Sequence, residues 1–379
     1  MTTTINNEHK ELNVPNLRFP EFQGEWKEYR IEDLTENISS GKCKSHSSNG
    51  EYNLYGSTGI IGKTDEACYE GNLVLVARVG ANAGFLQIIN EPCGITDNTL
   101  IIKPQKVGAQ YIYYYLQHFN LNRLIFGSGQ PLITGGMLKK VKVSLGNIQE
   151  QNKLTRLLSL LDERIATQNK IIDKLQSLIK GINQRVFMNS GINYKLGEIC
   201  EIRNGYSGSQ LLSKKGLKVS RIETISGHKV NMERVGYVAP FESSEKYRLR
   251  VGDILFSNIN SVEYIGNTAF IDKDYDLYHG MNLLRLTPNN MVVIPFYLYL
   301  LLNTNRMLNH FKTVCNKAVS QASINQTELG KTVIQIPPIK TQKQICELYQ
   351  ALYTKLETAS HTKSLFQNQK QYLLRQMFI

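Results

Sequence analysis

One uninterrupted heptad pattern in the middle of the chain constrains its fold more than any other feature. Apolar residues recur at alternating spacings of four and three within residues 147–188, and Gln168 is the single polar member of the series. Such a two-in-seven stripe is typical of a helix that pairs with a second helix. An amphipathic helix on a globular core is the alternative, although its apolar face is usually wider. The pattern favours a coiled coil with a seam formed by Leu154, Leu158, Leu161, Ile165, Ile172, Leu175, Ile179 and Ile182.

The C-terminal segment repeats this pattern and supplies the predicted partner helix. One constant shift aligns residues 130–151 with residues 321–342 and carries the seam into the last part of the chain. Lys363 and Lys370 occupy two positions of the second seam, which predicts a weaker middle for that helix. The predicted apolar positions of the second seam include Ile345, Leu352, Leu356, Phe366 and Leu373.

Shorter matches outside the helices indicate that a whole domain-plus-helix unit is duplicated. Residues 193–205 resemble residues 28–41, and residues 249–260 resemble residues 68–80. We therefore predict an extended arm at 1–25, a first domain at 26–146, a long helix at 147–190, a second domain at 191–338 and a second long helix at 339–379.

Within each predicted domain, short strands bounded by glycine precede a helix rich in aromatic residues. In the first domain we predict a short helix at 28–38, followed by the strands and the aromatic helix. The predicted strands are 52–55, 73–79, 84–89 and 98–103, and the predicted aromatic helices are 109–119 in the first domain and 296–302 in the second.

The charge of the chain makes a polyanionic partner plausible. Forty-four Lys and Arg against 32 Asp and Glu give a formal net charge of +12, with a sequence pI near 9.2. A basic balance of this kind raises the expectation of nucleic-acid binding without establishing it. The six cysteines are scattered and form no CxxC pair, so neither a disulfide framework nor a zinc site is indicated. A polar N-terminus and the lack of a long apolar run predict a cytoplasmic protein.

Motifs that would support catalysis are missing from the sequence. No GxxxxGK[ST], GxSxG or HExxH occurs, and the seven histidines stand apart from one another. The glycine turn at 126–129 resembles that of a methyltransferase cofactor site, but no acidic strand end and no NPPY-like tetrapeptide accompany it. We therefore expect no catalytic residue and no metal site, and a self-contained nuclease or methyltransferase is disfavoured.

Polar glycine-rich loops recur in both copies and suit contacts with nucleic acid. Isolated Arg, Lys, Asn, Gln and Ser side chains on such loops can approach phosphates and read base edges. A plain solvent-exposed position is the alternative for each residue, so the argument rests on the recurrence. The candidates are Lys42, Lys44, Ser57, Thr58, Lys63, Arg78, Asn82 and Gln130 in the first copy, and Arg203, Asn204, Tyr206, Arg221, Asn258, Asn260, Ser261, Lys317 and Gln321 in the second.

The whole plan resembles the DNA-specificity (S) subunits of type I restriction-modification systems. The resemblance rests on NLRFPEF and GEW within 16–26, on YGSTGIIG and EGNLVLVARVGANAG, on VGDILFSN, and on QASINQTELGKTVIQIPPIKTQKQI before the last helix. It runs from about residue 14 to the C-terminus. The first-copy junction, residues 130–151, departs from the pattern because it lacks the Pro-Pro and the SIN triplet.

The resemblance implies an α+β protein with two similar α/β target-recognition domains separated by two long helices in an intramolecular antiparallel coiled coil. It implies double-stranded DNA as a partner, together with two methyltransferase subunits and two restriction subunits. S-adenosylmethionine and ATP are then expected on the partner subunits, and no cofactor on this chain. The rival interpretation is a coiled-coil scaffold with incidental affinity for nucleic acid.

Overall fold

A computed structural model describes residues 12–43, 47, 49–125, 130–187, 191–318 and 321–379, without the side chain of Gln184. The chain divides into two compact units. The first unit combines Met1–Lys170 with Ser360–Ile379, and the second consists of Ile171–Ala359. Each long helix therefore contributes one part to each unit.

The first unit contains a four-stranded antiparallel sheet and a smaller three-stranded sheet. The large sheet has the order β2-β8-β5-β6, and the small sheet has the order β4-β3-β7. Its elements are β1 Lys27–Arg30, α1 Ile31–Leu34, β2 Thr35–Ser40, β3 Tyr52–Gly56, β4 Gly59–Thr64, β5 Leu73–Ala77, β6 Leu86–Ile89, β7 Cys93–Ile95, β8 Thr99–Pro104, α2 Ala109–Phe119, α3 Gly135–Lys139, β9 Lys142–Leu145 and the first part of α4 Ile148–Val186, with 3-10 turns at Gly80–Asn82 and Leu121–Leu124.

The second unit repeats the large sheet, now in the order β11-β17-β14-β16. It adds a small sheet, β15-β19-β18, and a two-stranded pair, β12-β13. Its elements are β10 Ile192–Lys195, α5 Leu196–Ile199, β11 Cys200–Asn204, β12 Leu217–Val219, β13 Gly236–Val238, β14 Ile254–Ser257, β15 Ile259–Asn260, β16 Thr268–Phe270, β17 Leu283–Pro288, α6 Pro295–Leu302, α7 Asn305–Val314, β18 Asn316–Lys317, β19 Ala322–Ser323, α8 Gln326–Gly330, β20 Val333–Ile336 and the first part of α9 Ile339–Gln376, with 3-10 turns at Ile222–Ile225, Met232–Arg234 and Ser244–Tyr247.

The central strand β5 explains how the first unit is layered. All five of its residues, LVLVA, are buried. Val74 and Val76 join the core beneath α2, while Leu73 and Leu75 join a second core with residues of β7. Alternate side chains of a strand point to opposite faces, so a continuous apolar run is what a strand covered on both faces requires.

The predicted helix at 28–38 is wrong. These residues form β1, the single turn α1 and then β2, and β1 pairs antiparallel with β9. Only Ile31 and Leu34 of α1 face the core, which is enough for one helical turn. Pairing of Ile38 with Ile102 then stabilises the extended conformation of β2, and such tertiary pairing overrides local helix preference.

The paired long helices expected from the sequence are confirmed. The first unit packs Leu154, Leu158 and Leu161 of α4 in one core with Leu373 of α9. The second packs Ile179 of α4 in one core with residues Ile345 and Leu352 of α9. The beginning of α4 thus lies with the end of α9, and its end with the beginning of α9, which is the order of an antiparallel pair.

Glutamines at equivalent positions fix the start of both long helices. Gln151 Nε2 donates to the carbonyl of Gly146 at 2.8 Å, and Gln342 Nε2 donates to the carbonyl of Pro337 at 2.8 Å. Gln342 also accepts from the backbone N–H of Ile294 at 2.8 Å, at the start of α6. These buried side chains satisfy backbone groups that the turn into each helix would otherwise leave without partners.

Candidate nucleic-acid interface

Arg78 is the centre of a polar edge in the first unit, directly after β5. Its Nη1 donates to Ser40 Oγ at 3.1 Å, at the end of β2. Its backbone N–H and the Ser57 hydroxyl both donate to the carbonyl of Asn98, at 3.1 and 3.4 Å. The structure therefore brings the predicted residues Ser57 and Arg78 together, and Thr58 is exposed beside Ser57 in the β3–β4 turn.

Gln130 joins this edge through backbone contacts of the residues that follow it. The carbonyl of Pro131 accepts from the N–H of Gly80 at 3.0 Å, and the N–H of Ile133 donates to the carbonyl of Arg78 at 2.8 Å. Gly80 has a φ of +74°, a conformation that glycine adopts without strain. The amide of the exposed residue Gln130 lies close to Gly80, two residues after Arg78.

The second unit has a corresponding edge directly after β14. Asn258 accepts through its carbonyl from the N–H of Ile324 at 2.9 Å, and the backbone of Asn260 pairs with Ala322, which also pairs with Lys317. The carbonyl of Gln321 accepts from the N–H of Ala318 at 2.8 Å. Four predicted residues, Asn258, Asn260, Lys317 and Gln321, are thus brought together, with Ser261 exposed next to Asn260.

The two edges occupy equivalent places in the duplicated fold. The shift that relates the long helices also relates Gln130 to Gln321 and Ile133 to Ile324. Ser40 and Asn204 are equivalent by register, since each is the last residue of its strand and pairs with the second residue of the next strand, Leu100 or Leu284. Asn204 Nδ2 donates to Gln326 Oε1 at 3.1 Å.

Glycine allows the chain to leave β2 and β11 in the same way. A Cβ on Gly41 would lie 2.3 Å from the carbonyl oxygen of Thr96, and a Cβ on Gly205 would lie 1.8 Å from that of Gly280. Neither distance is compatible with a side chain, so glycine must follow the last residue of each strand. Lys42 is exposed immediately after Gly41, and Lys44 lies outside the described residues.

Several predicted residues lie away from these edges. Arg221 forms an exposed ion pair with Glu223 at 3.4 Å, and Asn82 is an exposed residue of the 80–82 turn. The Tyr206 ring stacks on Phe241 with centroids 4.1 Å apart, which assigns it to packing. Arg203 lies on a face of the large sheet, where its register partner is Arg285.

Lys63 lies at the base of the β3–β4 hairpin, opposite Asn53 and away from the turn. Glu91 is nearby, and hydrogen bonds from Asn53 and then Tyr55, at 2.6 and 2.7 Å, lower the pKa of its carboxyl group. The nearby Lys63 charge acts in the same direction. The carboxylate therefore stays ionised and offsets the lysine charge, which makes Lys63 a weaker phosphate contact than its sequence position suggests.

Sequence reasoning missed Ser40, Gln87 and Gln326. Gln87 Nε2 donates to the carbonyls of Gly56 and Ser57, at 3.0 and 3.2 Å, and so anchors the β3–β4 turn. Gln326 Nε2 donates to the carbonyl of Ile202 at 2.7 Å and positions Asn204. Alignment of the two copies could have found Ser40 through its equivalence to Asn204, whereas no sequence pattern marks Gln87.

Among the described residues, no group of three or more His, Cys, Asp or Glu side chains has a geometry suited to a metal ion. A search of the same residues finds no helix long and apolar enough to cross a membrane. The candidate interface is instead a set of amide, hydroxyl and guanidinium groups held by backbone contacts.

The duplicated architecture corresponds to a known protein family. The family described as type I restriction modification DNA specificity domain matches residues 23–177 and 192–365. The chain belongs to this family. The resemblance expected from the sequence is thereby confirmed, and both matches include one of the two polar edges.

Individual relatives agree with this assignment. The putative type I restriction enzyme MjaX specificity subunit of Methanocaldococcus jannaschii is 40% identical over 188 residues, which span 48% of this chain and 44% of that relative. The MjaVIII specificity subunit of the same organism is 24% identical over 337 residues, 80% of this chain and 77% of that relative. The S subunit from M. genitalium shares the fold, with a TM-score of 0.68 at 16% identity, over 97% of this chain and 99% of that structure.

Proposed function

We propose that this chain is a sequence-specific DNA-binding subunit that recognises a bipartite target, with one half-site read by each unit. The observation that carries the proposal is the recurrence of a polar edge at the same place in both copies, around Arg78 and Gln130 and around Asn258 and Gln321. A single copy could be an ordinary loop. Two copies in a family named for DNA specificity support a shared recognition role.

The side chains at the two edges suit two kinds of contact with a DNA duplex, those with base edges and those with phosphates. The exposed amides of Gln130, Gln321 and Asn204 can form two hydrogen bonds with adenine, and arginine can do so with guanine. Asn258 is buried and contributes to its edge through the backbone. In the first unit the start of β4 also exposes Ile60 and Ile61, which suit contacts with thymine methyl groups. Lys42 and Lys317 are exposed next to the edges and would contact phosphates, which position the protein without reading sequence.

The proposal includes partners that supply the chemistry. Two methyltransferase subunits and, in the full complex, two restriction subunits would assemble on this chain, with S-adenosylmethionine and ATP held by those partners. This chain would then catalyse no reaction itself. The two long helices would set the distance between the half-sites, because a helix of 39 residues is about 58 Å long.

Methylome sequencing of the host tests the assignment of one half-site to each unit. Gln130→Ala should relax the sequence requirement in one half-site, and Gln321→Ala should relax it only in the other. Loss of a bidentate contact removes about 1–3 kcal/mol of discrimination between the correct base and a wrong one. Gln176→Ala, an exposed glutamine of α4 outside both edges, is the matched control. Two variants that alter the same half-site would contradict the proposal, as would two that alter neither.

A scaffold with incidental affinity for nucleic acid is the second candidate, favoured only by the helical pair. Gel-shift titration of the chain with its methyltransferase partner separates the two functions. A specificity subunit should prefer one sequence over mixed competitor DNA, and its affinity should fall steeply as salt rises. Equal binding to every duplex would favour the scaffold.

A further inference from the structure

A basic cavity lies beside the large sheet of the second unit. Its volume is about 340 Å³, and it opens beside the large sheet near the turn that precedes β14. Five of the residues that line it carry a positive charge: Arg203, Lys246, Arg248, Arg250 and Arg285. A concentration of guanidinium groups in one concave site is the usual arrangement for binding an oxyanion.

Arg285 is buried in this cavity wall, with 8% of its surface exposed. Its Nη1 donates to the carbonyls of Lys246 and Arg248, each at 3.2 Å. Its Nε is buried and makes no hydrogen bond to any residue that the structure describes. A buried cation with an unsatisfied donor is costly unless an anion neutralises it.

Arg203 lies directly opposite Arg285 in the register of β11 and β17. Like charges at directly opposite positions destabilise a pair of strands. Glu201 already offsets the charge of Arg203 from its own strand, so a bound anion would chiefly offset the charge of Arg285. Two arginines side by side also match the several oxygens of one phosphate group.

Two of the three carboxylates that line the cavity accept hydrogen bonds from other lining residues. Glu201 accepts from Arg203 at 2.5 and 2.8 Å, and Asp253 accepts from the Thr287 hydroxyl at 2.6 Å and from the N–H of Arg250 at 2.8 Å. Glu245 is the third lining carboxylate. Arg203 is paired with Glu201, and Arg248 is paired with Asp274 outside the cavity at 3.0 Å. The remaining cations, Lys246, Arg250 and Arg285, form no ion pair among the described residues and exceed the two remaining carboxylates, Glu245 and Asp253, by one charge.

The first unit provides an internal comparison for this face. The residues equivalent to Arg203 and Arg285 are Ser39 and Ile101, which pair in the same register of β2 and β8. Ile101 packs in an apolar core with Leu75 and Ile95. The duplicated sheet therefore forms with a neutral, covered face, and the arginines of the second copy are an addition that the fold does not require.

We propose that this cavity binds a phosphate-class oxyanion. Arg285 supplies a fixed guanidinium, Arg203 faces it across the strands, and Arg250 and Lys246 add charge at the rim. The anion is either a free phosphate compound or a phosphate of a DNA backbone, and the same side chains would recognise both. The proposal does not depend on sequence reading by the polar edges.

Isothermal titration of the full chain with inorganic pyrophosphate tests the free-anion source, and DNA titration over a series of salt concentrations tests the backbone source. Arg250→Gln removes an exposed charge and should weaken pyrophosphate binding about tenfold, the effect of losing one charge-assisted contact. Arg285→Met should abolish binding if the unit remains folded. Arg234→Gln, an exposed arginine outside the cavity, is the matched control.

Pyrophosphate binding that Arg250→Gln weakens and Arg234→Gln leaves unchanged supports a free anion. Absence of pyrophosphate binding, together with a salt slope that falls by about 0.9 in Arg250→Gln only, supports a DNA phosphate. If pyrophosphate does not bind, and the dependence of DNA affinity on salt has the same slope in both variants, the proposal that the cavity binds an oxyanion is wrong. Methylome sequencing should show unchanged half-site sequences in Arg250→Gln. The test of the anion site is therefore independent of the test of DNA sequence recognition.

Discussion

Removal of Asp162 should destabilise the first unit more than removal of the lysine to which it is paired. Lys370 occupies a position on the seam of α9, where only 8% of its surface is exposed although its side chain ends in a charged ammonium group. Its Nζ donates to both oxygens of Asp162, at 2.6 and 2.9 Å, and lies 5.2 Å from the centroid of the Tyr114 ring. Asp162→Ala would leave that buried charge with the ring as its main partner.

The magnitude follows from the different burial of the two groups. Breaking a fully buried ion pair by removing one partner costs about 3–5 kcal/mol. The Asp162 side chain is 36% exposed, so water replaces part of the lost interaction, and we expect about 2 kcal/mol for Asp162→Ala. Lys370→Met keeps an apolar side chain on the seam and leaves the carboxylate of Asp162 accessible to water. We therefore expect the free energy of unfolding to fall by less than about 1 kcal/mol.

Tyr114 should keep the carboxylate partly satisfied in Lys370→Met. Its hydroxyl donates to Asp162 at 2.9 Å, and burial, with the nearby Asp162 charge, raises the pKa of the phenol. The group therefore stays protonated and remains a donor at neutral pH. The double variant Asp162→Ala/Lys370→Met should be close to Lys370→Met alone, because the charge that made the first change costly is gone.

Urea unfolding followed by tryptophan fluorescence measures this directly. Trp26 is the only tryptophan of the chain and is buried in the core of the first unit, so its signal reports that unit even if the two units unfold separately. A larger loss of unfolding free energy in Lys370→Met than in Asp162→Ala, or strictly additive effects in the double variant, would refute the reasoning.

Three further predictions follow from the structure. Burial lowers the pKa of His279 to about 4, so as pH falls below about 6.5 the unfolded state takes up a proton before the folded state does. The free energy of unfolding of the second unit should therefore fall by about 2 kcal/mol between pH 7 and pH 5. Hydrogen exchange should show this fall in the natural chain and not in His279→Gln. Glu150 accepts hydrogen bonds from Arg18 at 2.7 and 2.8 Å and from Trp26 at 3.1 Å. Glu150→Gln should therefore lower the free energy of unfolding by about 2–3 kcal/mol, which a lower urea midpoint of Trp26 fluorescence would report. The control, Glu163→Gln on the exposed face of the helix, should leave that midpoint unchanged. Insertion of one heptad within 147–188 lengthens the helix by about 10 Å, or about 3 base pairs, and should change the preferred spacer in the methylome with both half-sites unaltered; a changed half-site with an unchanged spacer would contradict the proposed role of the helices.

The parts of the fold that the sequence predicted are those governed by periodicity. The two long helices were predicted from their heptad spacing at 147–190 and 339–379 and are observed as Ile148–Val186 and Ile339–Gln376. The short elements near residue 30 were predicted less well. Their conformation depends on pairing with β8 and β9, which lie far along the chain, and no local pattern reports such partners.

The polar edges were predictable in part because the chain carries two copies. Gln130 and Gln321 are recognisable as equivalent from alignment alone. In each unit the residue three positions later, Ile133 or Ile324, donates its N–H to the residue that follows the strand, Arg78 or Asn258. Arg285 could not be assigned from the sequence, since it stands in an apolar strand whose other face is buried. Lys370 was predicted to weaken its seam, but pairing with Asp162 on another helix gives it a stabilising partner.

The discontinuous first unit has a consequence for how the protein is made. Its core includes Leu374, Met377 and Phe378, and the carbonyl of Ile379 accepts from the hydroxyl of Tyr115 at 3.1 Å. A ribosome must therefore synthesise the whole of Ile171–Ala359 before the first unit can close, on the order of ten seconds or longer at ~5–20 residues per second. The unit encoded second can complete its fold first, and a nascent chain arrested before its last twenty or so residues would expose an unfinished apolar surface to chaperones and proteases.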